Sequence, residues 1–584
     1  MIQRLLIANR GEIAVRVIRA CREMGITSIA VYSEADAHAR HVQAADQAIA
    51  IGPARAAESY LSIPRLLDAA RASGADAVHP GYGFLSENAT FAEACERAGL
   101  VFVGPPASVI ARMGSKIEAR RLVSAAGVPV VPGETPDDQS DRGLTQAVER
   151  VGLPALVKAS AGGGGKGMRT VREPAEIEAA VQAARREAGA AFGDATLYVE
   201  RLVERPRHVE VQVFGDAHGH VVHLFERDCS AQRRHQKVIE ESPSPAVTPA
   251  LRTRITGAAV AAAQAVGYRN AGTIEFLVDG DAFYFLEMNT RLQVEHPVTE
   301  QVLGVDLVRA QLLVADGQPL PWTQDAVAQR GHAIEARVYA EDPAQGFLPQ
   351  AGPLLRYAEP RWPGVRVDSG VGEGDEVSVH YDPMIAKVIA AAETRDLAIA
   401  RLAAALREFT IDGVRTNLRF LVALLESQAF RDGAVDTNFL DREAPSIVAA
   451  MADTSIRNPQ PAILNQSATR NPQSAMAPPT PRRDPWDAPP LSARGSRAPA
   501  REPVSTRRRS ASATGGALTA PMPATVIKMQ VKEGDAVKKG DVVVVLEAMK
   551  MELPIRALGD ATVAAVRCRE GELVPADAIL VEFR

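Results

Sequence analysis

Residues 273–296, TIEFLVDGDAFYFLEMNTRLQVEH, carry both a fold signal and a chemical one. Residues 273–289 read as a β-hairpin turning at 279–281, because two apolar, aromatic-rich runs flank an Asp-Gly-Asp turn. Side chains alternate across a strand, so Ile274, Phe276 and Val278, with Tyr284, Leu286 and Met288, share one face, while Glu275, Glu287 and Asn289 share the other. A three-residue turn places Glu275 opposite Phe285 and diagonal to Glu287, within reach of a shared cation. Two carboxylates so close repel unless a positive charge joins them, and Mg²⁺ (or Mn²⁺) with oxygen ligands fits. The parity of Glu287 and Asn289 runs on through Arg291, Gln293 and Glu295, so an extended run aims these five polar side chains at one pocket. Arg291 offers planar donors for an anion, Gln293 a further hydrogen bond, and Glu295 a basic carboxylate.

Upstream, residues 155–159 read as a strand, residues 160–167 (SAGGGGKG) as a Gly-rich loop, and residues 168–171 (MRTV) as a second strand. Consecutive glycines let backbone N–H groups close on phosphate oxygens. The loop lysine is followed by neither Ser nor Thr, and a strand rather than a helix follows, so this is not a P-loop. Lys116 in MGSKIEAR, Lys158 before the loop and the tract ERDCSAQRRHQKVIEE at 226–241 supply the other charged positions of a nucleotide site. Residues 1–112 alternate short apolar strands with amphipathic helices, one presenting Ile13, Val17, Cys21 and Met24 on one face. This predicts a Rossmann-like parallel unit. NRGEIA replaces GxGxxG after the first strand, so no dinucleotide site is expected.

The C-terminal quarter changes character twice. Residues 447–516 are rich in Pro, Arg, Ser and Ala (APPTPRRDPWDAPP, STRRRSASATGG) and lack the apolar positions of a core. They read as a disordered linker, and a flexible chain of that length has a root-mean-square span of about 40 to 50 Å. Residues 517–584 contain a repeat, EGDAV at 533–537 and EGELV at 570–574, each beside a Val-rich run, which predicts a two-fold all-β sandwich. At its midpoint stands EAMKMEL, with Lys550 between Met549 and Met551 at an expected hairpin tip.

That string on such a domain resembles the biotin carboxyl carrier domain; the flanking methionines separate it from lipoyl carriers. Residues 1–446 resemble the ATP-grasp enzymes, specifically biotin carboxylase. The expected fold is therefore α/β: a Rossmann-like domain (1–112), an ATP-grasp domain (113–335, with a lid at about 130–200), a β-rich C-terminal domain (336–446), the linker, and the all-β biotinyl carrier. The resemblance implies that Lys116 and Lys158 contact ATP phosphates, with Gly164 and Gly165 in the closing lid. The family often has Gly where this loop has Ala161. Glu200, Leu202, His208, Gln232 and His235 would meet adenine or ribose, and Glu275, Glu287 and Asn289 the metal. Lys237, Arg291, Gln293 and the Val294 backbone would hold bicarbonate, and Glu295 would take its proton. Carboxyphosphate then forms, and Arg337 stabilises the biotin enolate. From spacing alone, Arg337 could equally pair with Glu335 or Glu341. Biotin on Lys550, attached by biotin protein ligase, would deliver the carboxyl group to a separate carboxyltransferase β subunit.

The whole looks like the α subunit of a bacterial acetyl- or propionyl-CoA carboxylase acting in fatty-acid or propionyl metabolism. A methylcrotonyl-CoA carboxylase α subunit is the alternative, and a homo-oligomer within a hetero-oligomeric holoenzyme is expected. No carboxyltransferase-sized segment follows, unlike pyruvate carboxylase. A non-enzymatic carrier would need lost catalytic positions, and none is replaced. Composition agrees: 584 residues suffice for several packed units. A net charge of −5 gives no basic field for nucleic acid. Four separated cysteines, Cys21, Cys95, Cys229 and Cys568, argue against zinc or disulfides. No apolar stretch is long enough for a membrane span, and a cytoplasmic location is expected.

Overall fold

The computed structural model describes residues 1–160, 167–453, 516–549 and 551–584. The helix Gly11–Met24 turns Ile13, Val17 and Cys21 into the interior, with Met24 at its margin. It packs on a sheet of five parallel strands in the order Gln47–Ala50, Thr27–Tyr32, Arg4–Ile7, Ala77–His79 and Val101–Phe102. Burial of the central strand on both faces (Leu5, Leu6 and Ile7, all 0% exposed) is what a parallel sheet covered by helices requires.

The central element is an eight-stranded sheet. Its strand order is Ala282–Asn289, Asn270–Asp279, Arg207–Gly215, Val221–Arg233, Gln236–Ser242, His332–Tyr339, Met384–Ala392 and Val365–Ser369. The strand His332–Tyr339 runs across the expected boundary at 335/336, so the C-terminal strands extend the ATP-grasp sheet. Helices Arg395–Glu408 and Leu418–Glu426 close its far side with Leu402, Leu406, Phe420 and Leu424. Gly370, after the last of these strands, abuts the backbone of Gly11 and Glu12. A Cβ there would lie 2.4 Å from the Glu12 nitrogen, so only glycine lets the two regions meet.

A second, four-stranded antiparallel sheet (Gly133–Glu134, Leu197–Arg201, Ala155–Ala159, Met168–Val171) carries helices Asp141–Val151 and Ile177–Phe192 on one face. Its apolar residues, Leu144, Val148, Val157, Val181 and Val199 among them, form a core of their own. The C-terminal unit is two four-stranded sheets, in which the repeat places Ala536–Val537 and Leu573–Val574 in equivalent short strands. Among the described residues no helix is long and apolar enough to cross a membrane.

Candidate active site

Strand register brings the acidic residues together. Glu210 pairs in register with Arg227 on one side and Glu275 on the other, and Glu275 pairs with Glu287. Three carboxylates therefore stand side by side across three strands, an arrangement that repels unless cations knit it. Four basic groups do so. The Arg227 guanidinium, fully buried, donates to Glu210 at 2.5 Å, to Gln212 and to Thr299. The Lys237 ammonium lies 2.7 Å from Glu210, 3.0 Å from Glu275 and 2.6 Å from Glu295. His208 Nε2 is 3.0 Å from Glu275, and Lys116 is 3.8 Å from Glu287. Burial works against the charge on Lys237, but the acidic groups around it hold its pKa well above the lysine range. Glu210, Cys229 and Glu295 also group their ligand atoms as a metal site would. The ammonium already supplies positive charge to the two carboxylates, and Cys229 Sγ lies 3.8 Å from Glu295.

The hairpin differs from its expected form in two ways. Its turn is Gly280-Asp281, and Leu286 is an extra residue on the second strand, so Glu275 faces Glu287 directly rather than diagonally. The shorter turn pairs Phe283 with Val278 and Phe285 with Phe276, which puts these rings in the core in place of Tyr284 and Leu286, while the bulged Leu286 lines the cleft. The strand also stops at Asn289, and residues 290–295 bend into the helix His296–Leu303. Leu292 turns fully inward, which leaves Arg291 and Gln293 on the cleft side. Glu295 is reached through this turn and not by a continued strand.

Arg291 donates to Glu87 (2.8 Å), Asn289 (3.0 Å) and Gln293 (2.8 Å), which fixes its plane. Gln293 and Asn289 in turn donate to Glu275. Val294 lines the cleft, and its carbonyl accepts from Lys387. Arg337 forms its ion pairs with Glu240 and, at 3.0 Å, with Glu295, while Glu341 pairs with Arg233. Burial would favour a neutral Glu295, yet Lys237, Arg337 and Arg227 hold its pKa well below the carboxylate range. Burial pushes Glu240 up to about 7 although Arg337 pulls it down.

Between the two sheets lies a cavity of about 710 Å³, lined by Lys116, Lys158, Glu200, Leu202, His208, Gln232, His235, Lys237, Glu275, Glu287, Asn289, Arg291, Gln293, Val294 and Arg337. This brings together nearly every residue singled out in the sequence, and it falls within the size range of small-molecule sites. Lys158 donates to Glu200 at 2.9 Å, and Glu200 also accepts from Arg120. Lys158 also lies over the Tyr198 ring. Burial opposes the charge of Lys158, but Tyr198 and Glu200 raise its pKa above the ordinary value; Lys116, where burial wins, is lowered. His235 sits with Arg234 at a two-residue turn, both with positive φ (64° and 49°), which projects its ring at the cavity rim.

Gly164, Gly165 and Lys550 lie outside the described residues. Among the described neighbours of that lysine, Ala548 pairs with Met551 in an antiparallel ladder. The residues fit a divalent cation: burial raises the pKa of Glu287 first and the facing Glu275 raises it further, a carboxyl pair that calls for positive charge beyond Lys116. Glu87, Glu210, Arg227 and Glu240 were not singled out in the sequence. The parity of HVEVQV could have flagged Glu210 beside His208, whereas Arg227 and Glu240 needed the strand order.

Family models match nearly the whole described chain. They are biotin carboxylase N-terminal domain (1–110), carbamoyl-phosphate synthase L chain ATP-binding domain (115–323), biotin carboxylase C-terminal domain (335–442) and biotin-requiring enzyme (516–583). Biotin carboxylase 2 of Bacillus subtilis is 51% identical over 441 residues, 75% of this chain and 99% of that protein. The chain belongs to the biotin carboxylase family. The mitochondrial methylcrotonoyl-CoA carboxylase subunit alpha of Glycine max is 53% identical over 442 residues, 75% of this chain. The match spans 60% of that relative's length. Among solved biotin carboxylases, the Campylobacter jejuni enzyme in complex with β,γ-ATP superposes with a TM-score of 0.74 at 46% identity, covering 76% of this chain and 99% of that one. The biotin carboxylase domain dimer of Hydrogenobacter thermophilus 2-oxoglutarate carboxylase, with MgADP, ADP and bicarbonate, gives 0.74 at 44% identity over 76% and 98%. The carboxylase part has the ATP-grasp fold of this family, and residues 516–583 add the unit matched by the biotin-requiring enzyme model.

Proposed function

We propose that the chain carboxylates a biotin carried on its own Lys550, using ATP and bicarbonate, and that a separate carboxyltransferase β subunit then passes the carboxyl group to an acyl-CoA. The observation that carries this is the carboxylate row Glu210, Glu275 and Glu287, with Lys237 on the first two and Lys116 on the third, where Glu275 and Glu287 line one cavity with the Arg291 and Arg337 guanidiniums.

Lys237, Arg291, Gln293 and the Val294 backbone bind bicarbonate, and Glu295 removes its proton. With Lys237 at 2.6 Å and Arg337 at 3.0 Å, Glu295 is a weak base in the free enzyme. An arriving anion competes for the Lys237 ammonium, so binding raises the basicity of Glu295 where it is needed. The deprotonated bicarbonate attacks the γ-phosphate, the bond to ADP breaks and carboxyphosphate forms; it breaks down to CO₂ and phosphate, the phosphate takes the proton of the biotin nitrogen, and that nitrogen takes up the CO₂. Lys116 and Lys158 neutralise the charge developing on the phosphates. Glu200, Leu202, His208, Gln232 and His235 position the nucleoside, and Gly164 and Gly165 cover the phosphates. Glu275, Glu287 and Asn289 would hold Mg²⁺ or Mn²⁺, which would supply positive charge to the transferring phosphoryl group. Arg337 presents its donors where negative charge develops on the acceptor ring, held in place by Glu240.

Acetyl- or propionyl-CoA is the acyl substrate of the principal reading, in fatty-acid or propionyl metabolism. The 53% identity to a methylcrotonoyl-CoA carboxylase subunit alpha favours a second, methylcrotonyl-CoA. A biotin protein ligase modifies Lys550, and the chain works in the cytoplasm as a homo-oligomer within a larger assembly. The test is steady-state ADP release with Mg²⁺ present. It is expected to require both bicarbonate and free biotin, and streptavidin is expected to retain the chain but not Lys550→Ala. ADP release indifferent to both additions, with no streptavidin retention, would overturn the reading.

A further inference from the structure

A residue at the end of a hairpin ordinarily lies at the surface. Here Met549 is 3% exposed, in a left-handed conformation (φ 51°), and its backbone N–H donates to the Val379 carbonyl at 3.1 Å. The acceptor lies 170 positions earlier, in the loop between the strands Glu376–Val377 and Met384–Ala392. Val377, Ala548 and Met549 belong to one continuous apolar cluster, so apolar side chains accompany the backbone hydrogen bond.

The loop is held from behind. The Tyr381 hydroxyl donates to the Ala54 carbonyl at 2.5 Å and accepts from Ser33 Oγ at 2.5 Å. Its ring meets Tyr60 edge-on at 5.6 Å, and the Arg10 guanidinium stacks over it at 4.2 Å. Arg10 is fixed in turn by two 2.7 Å bonds to Asp36, which also accepts from Tyr60. None of these residues reaches the reacting groups described above, yet together they immobilise Tyr381, two positions from Val379. A surface rigid before contact spends little ordering entropy on binding. The loop also leads into the site: Asp382 lines the cavity that holds Arg337 and Arg291. Three residues of extended chain span at most about 11 Å, so the Val379 carbonyl lies close to the cavity rim.

We infer that residues 377–382 are the docking surface for this chain's own carrier domain, and that the Val379 carbonyl registers the hairpin end through the Met549 N–H so that the group on Lys550 enters the cavity beside Asp382. This rests on the proposed carboxylation of Lys550-bound biotin. Recognition by a backbone carbonyl and an apolar patch gives a contact strong enough to orient the carrier and weak enough to release it. The 62 positions between the last described residue of the carboxylase part and Gly516 tether the carrier close to this loop.

Two measurements on the full chain test the assignment. In a V379C and M549C double variant, mild oxidation is expected to close a disulfide within one chain, read as a cross-linked peptide after digestion. The four native cysteines are buried and give little background. No bond, or a bond only between two copies, would overturn the assignment to the chain's own carrier. In Val379→Glu, a charge is set against the apolar patch. Carboxylation of the chain's own biotin in a single turnover is expected to slow at least tenfold, while ADP release driven by added free biotin stays within twofold of wild type. Unchanged self-carboxylation, or equal loss of both activities, would overturn the docking role. A wild-type chain inactive with free biotin would instead mark failure of the proposed reaction.

Discussion

Lys237 ties the acidic row to the proposed base, because Glu210 and Glu275 of the row share its ammonium with Glu295. In Lys237→Gln the charge is lost while hydrogen bonding is partly kept. Removing a preorganised cation from a closed site costs about a hundredfold or more in kcat. A second effect separates this from a merely structural loss. Lys237 is the leading attraction that lowers the pKa of Glu295, so its removal lets that pKa rise. Glu295 acts as its carboxylate, so the acid limb of the kcat/KM profile for bicarbonate is expected to move to higher pH. A limb left in place would mean that Glu295 is not the titrating base. Single residues were legible where chemistry and parity coincide: Glu275, Glu287 and Asn289 follow from alternation along one hairpin. Glu240 did not, because nothing near Arg337 in the sequence points to a partner 97 positions earlier.

Between strands, the energetics turn on Arg227, which sits fully buried against Glu210 with Gln212, Thr273 and Thr299 also accepting from it. Removing Arg227 leaves the buried Glu210 with Lys237, at 2.7 Å, as its remaining cation among the described residues, and breaking a buried pair is costly. Arg227→Met is thus expected to cost about 3 to 5 kcal/mol, read as a lowered urea midpoint of the sheet's cooperative unfolding. Adding Glu210→Met is expected to recover much of that loss, since apolar replacement of both partners is often close to neutral. A double variant no more stable than Arg227→Met would show that the pair's charge balance is not what holds these strands. Hairpin, Gly-rich loop and flanking strands were readable because their signals are local. The bulge at Leu286 was not, since an extra residue shows itself only against the register of its partner strand. Where Asn289 stops pairing, Leu292 takes the buried side, and parity survives for Arg291 and Gln293 though the strand does not.

Across the molecule, the sequence revealed three kinds of territory by composition alone: alternating α/β, a core-poor stretch and a Val-rich repeat. It could not reveal that the strands after His332 join the sheet carrying Glu275, because that edge is set by pairing between segments far apart in the chain. Nor could it reveal that the hairpin end of the carrier meets Val379. Both features serve one arrangement, in which the carrier is presented at the mouth of a cavity that spans two sheets. The most direct test is a single turnover of the biotinylated full-length chain with labelled bicarbonate, ATP and Mg²⁺, quenched and mapped by peptide. The account predicts close to one label per chain, all on the peptide containing Lys550, and none when ATP is omitted or Glu295 is replaced by Gln. Label that fails to appear on a fully biotinylated chain, or that appears without ATP, would contradict it.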